Sequence, residues 1–123
     1  MTEEDQNIAI AEFCGYRHDI CNVGINGTKL WGYWRPNGNF SEGTWHLPKY
    51  TKSLDAMHGA EEKLPLSEDS KNGLYIEVYP EELARIVGAN LDSDNWSETL
   101  KMIHATAAQK AEAFLRTIGK WKE

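Results

Sequence analysis

Cys14, His18 and Cys21 are separated by three and two intervening residues, with His46 further along the chain, and thiolate and imidazole are ligands that zinc favours. The spacing fits no standard zinc finger. A cysteine at the end of a helix, pointing inward, is more simply a buried thiol, so no metal site is expected. Asp55 and His58, three apart on a helix, have the arrangement of an acid that orients a base for Cys14 or for a serine. An Asp in a first helical turn ordinarily complements the helix dipole, and a histidine on the inner side ordinarily packs and hydrogen-bonds. No catalytic residue is assigned on that ground, and the chain is read as a non-enzyme. Gly24, Gly27, Thr28 and Lys29 superficially resemble a phosphate loop, but the spacing is wrong and the setting is a hairpin.

Trp31, Tyr33, Trp34 and Arg35 make a stronger cluster. An aromatic face can stack a base or a sugar, and a guanidinium can fork onto a phosphate. The same residues serve equally as core on both sides of a central strand, with Arg35 snorkelling at its end. At least one tryptophan is assigned to the core, and the outer pair stays open between core and site. Arg116, together with the backbone amides at the start of the terminal helix near His104 and Thr106, is a second candidate for holding an anion. An ion pair with Glu112, four residues earlier, is its plainer role. The candidate ligand-binding set is therefore Trp31, Tyr33, Trp34, Arg35, His104, Thr106 and Arg116, with no cofactor.

These residues need elements to position them. The clearest is His104–Trp121, where Thr106 and Gln109 have the capping-box spacing and Ala107, Ala111, Phe114, Leu115 and Ile118 share one helical face before Gly119 stops it. At the other end of the chain, Thr2 caps a short helix that Gly15 ends, with Glu3, Glu4 and Asp5 at its positive pole. Asn26-Gly27 and the Pro36–Asn39 cluster divide residues from about 20 to 47 into a three-stranded antiparallel meander. Leu30, Gly32 and Trp34 share one face of its middle strand, and Trp31, Tyr33 and Arg35 the other. With an aromatic on each face, both faces are expected to be covered by helices.

After Leu47–Tyr50, Thr51 or Ser53 caps a helix running to about Leu64, closed by Pro65. The polar stretch Pro65–Gly73 reads as a mobile loop. Leu74–Tyr79 alternates like a strand, and Pro80 then opens a short helix ending at Gly88. After a loop over Ala89–Asn95, Trp96–Ile103 reads as a further strand, although Leu100 and Ile103 also fit a helical period. The fold class that follows is α+β, an antiparallel sheet covered by helices.

A chain of 123 residues is one domain, residues 1–123, able to bury a single core. No apolar run approaches the roughly 18 residues of a membrane span, and the polar start MTEEDQN is no signal peptide, so a cytoplasmic location is expected. In that setting Cys14 and Cys21 are expected to stay reduced. A net charge of −6 argues against duplex nucleic acid as a partner, because phosphate affinity needs clustered Lys and Arg.

Three separated motifs add a resemblance. Ala11–Arg17, the run Leu47–Tyr50 with Leu54–His58, Ala60, Glu61 and Leu64, and His104–Ala107 with Ala111–Arg116, Gly119 and Trp121 occur in this order over most of the chain. Together they resemble the small phage and prophage proteins of the phage alpha-beta-alpha sandwich domain. The resemblance implies a helix-sheet-helix sandwich and a phage or prophage setting, and it carries no catalytic residues. Two expectations of function result. One is an accessory protein, such as an anti-defence protein of a phage, that sequesters a small anionic nucleotide signal in an aromatic and arginine pocket. The other is an inhibitor or adaptor whose acidic surface covers a basic patch on a host or phage protein. A half-exposed aromatic sheet would also suit a homo-oligomer.

Overall fold

The computed structural model describes residues 1–23, 27–42, 47–64, 75–90, 92 and 95–123. In chain order they form α1 (Glu3–Phe13), β1 (Arg17–Val23), β2 (Thr28–Trp34), β3 (Phe40–Glu42), α2 (Leu54–Glu61), α3 (Tyr75–Val87), α4 (Trp96–Ile103) and α5 (Ala107–Thr117). This is an α+β fold.

α5 is the hub, and its sequence explains why. Thr106 accepts the Gln109 N–H at 3.1 Å while Gln109 Oε1 accepts the Thr106 N–H at 2.9 Å, closing a capping box. From there Ala107, Ala111, Ala113, Phe114, Leu115 and Thr117 are all buried, with the Thr117 hydroxyl satisfied by the Ala113 carbonyl at 2.7 Å. The small alanines let α1, α2 and α3 approach closely, and all three pack on α5. Phe114 meets Phe13 of α1 edge to face at 5.3 Å. Gly119 takes φ 76°, the left-handed conformation that lets the chain leave the helix.

α1 begins where Thr2 accepts the Asp5 N–H, and α2 begins at Ser53, which accepts the Ala56 N–H, both at 3.1 Å. Thr51 is used otherwise: it is buried, and its N–H donates to Asn7 Oδ1 at 3.1 Å, tying α1 to the turn before α2.

β1, β2 and β3 form an antiparallel meander in sequence order, with His18 opposite Tyr33, Ile20 opposite Trp31 and Trp34 opposite both Arg17 and Phe40. Gly27 lies in the first turn at φ 64°, and the second is closed by the Arg35 N–H on the Asn39 carbonyl at 2.7 Å. The expected covering of both faces is only partly realised. Tyr33 is buried against α1, where Glu4 and Glu12 lie near its hydroxyl, but Trp31, on the same face, is 59% exposed. The helices gather on α5, and among the described residues of this face their cover encloses Tyr33 and leaves Trp31 open.

Two further expectations are corrected. Residues 75–79 are not a strand: α3 runs unbroken from Tyr75 to Val87 with Pro80 inside it. An internal proline removes a backbone hydrogen bond and costs about 3 kcal/mol. The cost is offset here because Tyr79, Leu83 and Ala84 are buried, with Tyr79 against Phe114 and α3 packed along α5. Residues 96–103 are also helical, because Asn95 caps them by accepting the Ser97 N–H at 3.0 Å. The loop expected over 65–73 lies outside the described residues, as do His46 and the Asn26 half of the first turn. Among the described residues no helix is long and apolar enough to cross a membrane.

Candidate functional site

The first two strands assemble a ladder of rings. His18 stacks on Tyr33 with centroids 4.8 Å apart and leans against Trp31 at 5.4 Å. Direct pairing across an antiparallel ladder brings His18 and Tyr33 together, and Trp31 is its diagonal neighbour on the same face. The ladder runs from core to solvent. Tyr33 at the inner end is buried, and burial with the Glu12 and Glu4 carboxylates nearby raises its pKa, keeping the phenol neutral. Trp31 at the outer end presents its ring to water.

Trp34 belongs to the opposite face. It is half-buried, its ring lies 5.2 Å from Phe40, and the Arg17 guanidinium sits 6.0 Å above it. Arg17 in turn pairs with Asp19 at 3.7 Å. Arg35 follows at the strand end, half-buried, with its Nε buried and without a hydrogen-bond partner among the described residues. The four clustered residues are thus split: Tyr33 is core, Trp31 is surface, and Trp34 faces away from both. The ring that joins Trp31 to Tyr33, His18, was visible in sequence only as a metal-ligand candidate.

His104, Thr106 and Arg116 do not converge. His104 and Thr106 sit at the N-terminal end of α5, and Arg116 lies ten residues later, about 15 Å along the axis at 1.5 Å per residue. Thr106 is occupied as a cap, and Arg116 pairs with Glu112 at 3.4 Å and Glu123 at 3.7 Å. Arg116 also lies 5.3 Å from the centroid of the Trp121 ring. With Arg85, Glu82 and Trp121 it lines a shallow cavity of ≈ 380 Å³, a grouping the sequence did not signal. Carboxylates already hold both guanidiniums, since Glu82 takes Arg85 in a two-oxygen fork at 2.9 Å.

The larger cavity, ≈ 700 Å³, lies between α1 and the C-terminal segment, floored by Ile8, Ala9, Phe13 and Ile118, with acids and lysines mixed at its rim. None of Trp31, Tyr33, Trp34 or Arg35 lines it.

The remaining chemical candidates are also placed. The Cys14 thiol is hydrogen-bonded to the Tyr50 hydroxyl, and burial raises the pKa of both, so neither is an activated nucleophile. His58 is exposed and faces Glu62 at 3.9 Å. Cys14 and Cys21 are not joined in a disulfide, and among the described residues no group of three or more His, Cys, Asp or Glu side chains is placed to hold a metal ion.

A second apolar surface lies on α4, where Trp96, Leu100 and Ile103 are 73%, 46% and 62% exposed. Its signal was present in the sequence as i, i+4, i+7 spacing and was hidden by reading the stretch as a strand. Compared with family models, curated proteins and solved structures, the chain finds no match.

Proposed function

We propose that the protein is a non-catalytic interaction protein, an adaptor or inhibitor that lays the open end of its sheet, Trp31 backed by His18, against another protein. The single observation that carries this reading is the exposure of the Trp31 ring, which stands against His18 and lines none of the cavities described above. A small ligand is ordinarily held in a concavity that buries most of its surface, whereas an aromatic anchor on an open face matches the centre of a protein interface. The net charge of −6 steers such a surface toward a basic partner. The phage or prophage setting is an inference from the motif resemblance alone.

A photoreactive residue at position 31 is expected to crosslink one discrete protein in cells, and Trp31→Ala is expected to abolish its recovery on the tagged chain, with capture weakening as salt rises. The opposing result is a rise in melting temperature with one member of a nucleotide panel, lost on Trp31→Ala. That would replace an interaction surface with a sequestering one.

A further inference from the structure

The cavity of ≈ 700 Å³ beside α1 has one wall made from a single stripe of that helix. Asp5, Ile8, Ala9, Glu12 and Phe13 recur at helical spacing, so the wall runs about 12 Å along the axis at 1.5 Å per residue. The opposite wall is the C-terminal segment, from which Ile118, Lys120 and Lys122 line the cavity in alternation. Trp121, between the two lysines, lines the shallow cavity on the other side. Both walls are held in place by the fold. Ile8, Ala9, Phe13 and Ile118 are partly buried and pack on the core, with Phe13 set edge to face on Phe114. The segment is clipped back onto α5: the Lys120 and Trp121 N–H groups both donate to the Leu115 carbonyl, at 2.8 and 3.2 Å, and Arg116 holds the Trp121 ring at 5.3 Å and Glu123 at 3.7 Å. That anchoring sends the indole one way and the two lysines the other.

We propose that this cavity binds a slender anionic amphiphile, an acyl chain laid on Ile8, Ala9, Phe13 and Ile118 with its carboxylate between Lys120 and Lys122. The volume is that of clefts that enclose a small molecule. The floor decides the body of the ligand. It offers no hydrogen-bonding side chain, so an extended peptide lying there would leave its N–H and C=O groups unpaired, whereas a hydrocarbon chain has none to satisfy. Charge decides the head. Among the described residues neither Lys120 nor Lys122 has a carboxylate partner for its ammonium. The acids at the rim are otherwise engaged: Asp5 complements the positive end of α1, Glu12 lies near the Tyr33 hydroxyl, and Glu123 takes Arg116. The charge left unmet is therefore positive and sits on the C-terminal wall, while Asp5 and Glu12 turn an anionic head away from α1. The site is separate from the Trp31 face and does not depend on what that face binds.

Calorimetric titration with dodecanoate, kept below its micelle concentration, tests this. The wild type is expected to bind one dodecanoate per chain and to bind dodecyltrimethylammonium about tenfold more weakly or worse. K120Q/K122Q, which changes two exposed side chains, is expected to lose about tenfold in dodecanoate affinity, and Ala9→Phe, which sets a ring on the floor, is expected to abolish binding. Trp31→Ala is expected to bind as wild type, so failure of the interaction-surface reading leaves this one standing. A wild type that binds no dodecanoate, unchanged affinity in K120Q/K122Q, a preference for the cationic probe, or binding lost in Trp31→Ala would each overturn the proposal. Circular dichroism of Ala9→Phe separates a filled cavity from a lost fold, and K120Q/K122Q decides the matter if that variant does not fold.

Discussion

α5 and α4 are neighbours with the same grammar and opposite orientations. Both carry an N-cap and an apolar stripe at helical spacing, separated only by the turn at His104 and Ala105. α5 points its stripe into the core and is enclosed by α1, α2 and α3, with Phe114 and Leu115 fully buried. α4 leans on α3, is held there by Met102 against the core and by polar contacts to Asn90 and Gly88, and turns Trp96, Leu100 and Ile103 outward. Amphipathic pattern therefore predicts that a helix has an apolar side. It does not say which neighbour that side will meet, because the neighbour is decided by the rest of the chain or by another molecule.

The comparison can be broken at several points. Phe114→Ala removes a ring that touches Phe13 and Tyr79, and urea unfolding is expected to show a loss of about 3–5 kcal/mol. Thr106→Ala opens the capping box of α5 and is expected to cost about 1 kcal/mol in the same measurement. A smaller effect is expected from acid. The Asn90 N–H and Lys101 hold the Glu98 carboxyl below its ordinary pKa, so its contribution is present at neutral pH and is lost as pH falls through the lowered folded value. A fall in the protection of the Asn90 amide, relative to its intrinsic exchange rate, once pH drops below the ordinary Glu range, absent in Glu98→Gln, is the expected sign. Smallest of all, Trp96→Ser is expected to leave monomer stability within about 0.5 kcal/mol of wild type. A loss there as large as that of Phe114→Ala would mean that α4 is core after all, and the contrast with α5 would collapse.

The parts legible in sequence were those fixed by local chemistry. The caps at Thr2 and Thr106, the turn glycines and the meander follow from groups a few residues apart, and the structure forms each of them; of Thr51 and Ser53, both open as the cap of α2, it uses Ser53. What sequence could not supply was the outcome of competition between local preference and distant packing. Pro80 argued for a break in α3, yet burial of Tyr79 and Leu83 against α5 kept the helix whole. Trp31 and Tyr33 share a face by alternation, but their different burial depends on how far the helical layer extends over the sheet. For the same reason Arg116 was grouped with the wrong end of its own helix: its neighbours Arg85 and Trp121 are reached through α3 and the C-terminal segment.

The edge-to-face contact of Phe13 with Phe114 joins residues about a hundred positions apart, the kind of long-range pairing that slows folding. During synthesis Ile10, Ala11 and Phe13 of α1 emerge well before α5, the helix that shelters them. Between the two the nascent chain displays an unsheltered apolar helix followed by a sheet with a bare tryptophan, and its solubility in that interval depends on how quickly the ribosome delivers α5.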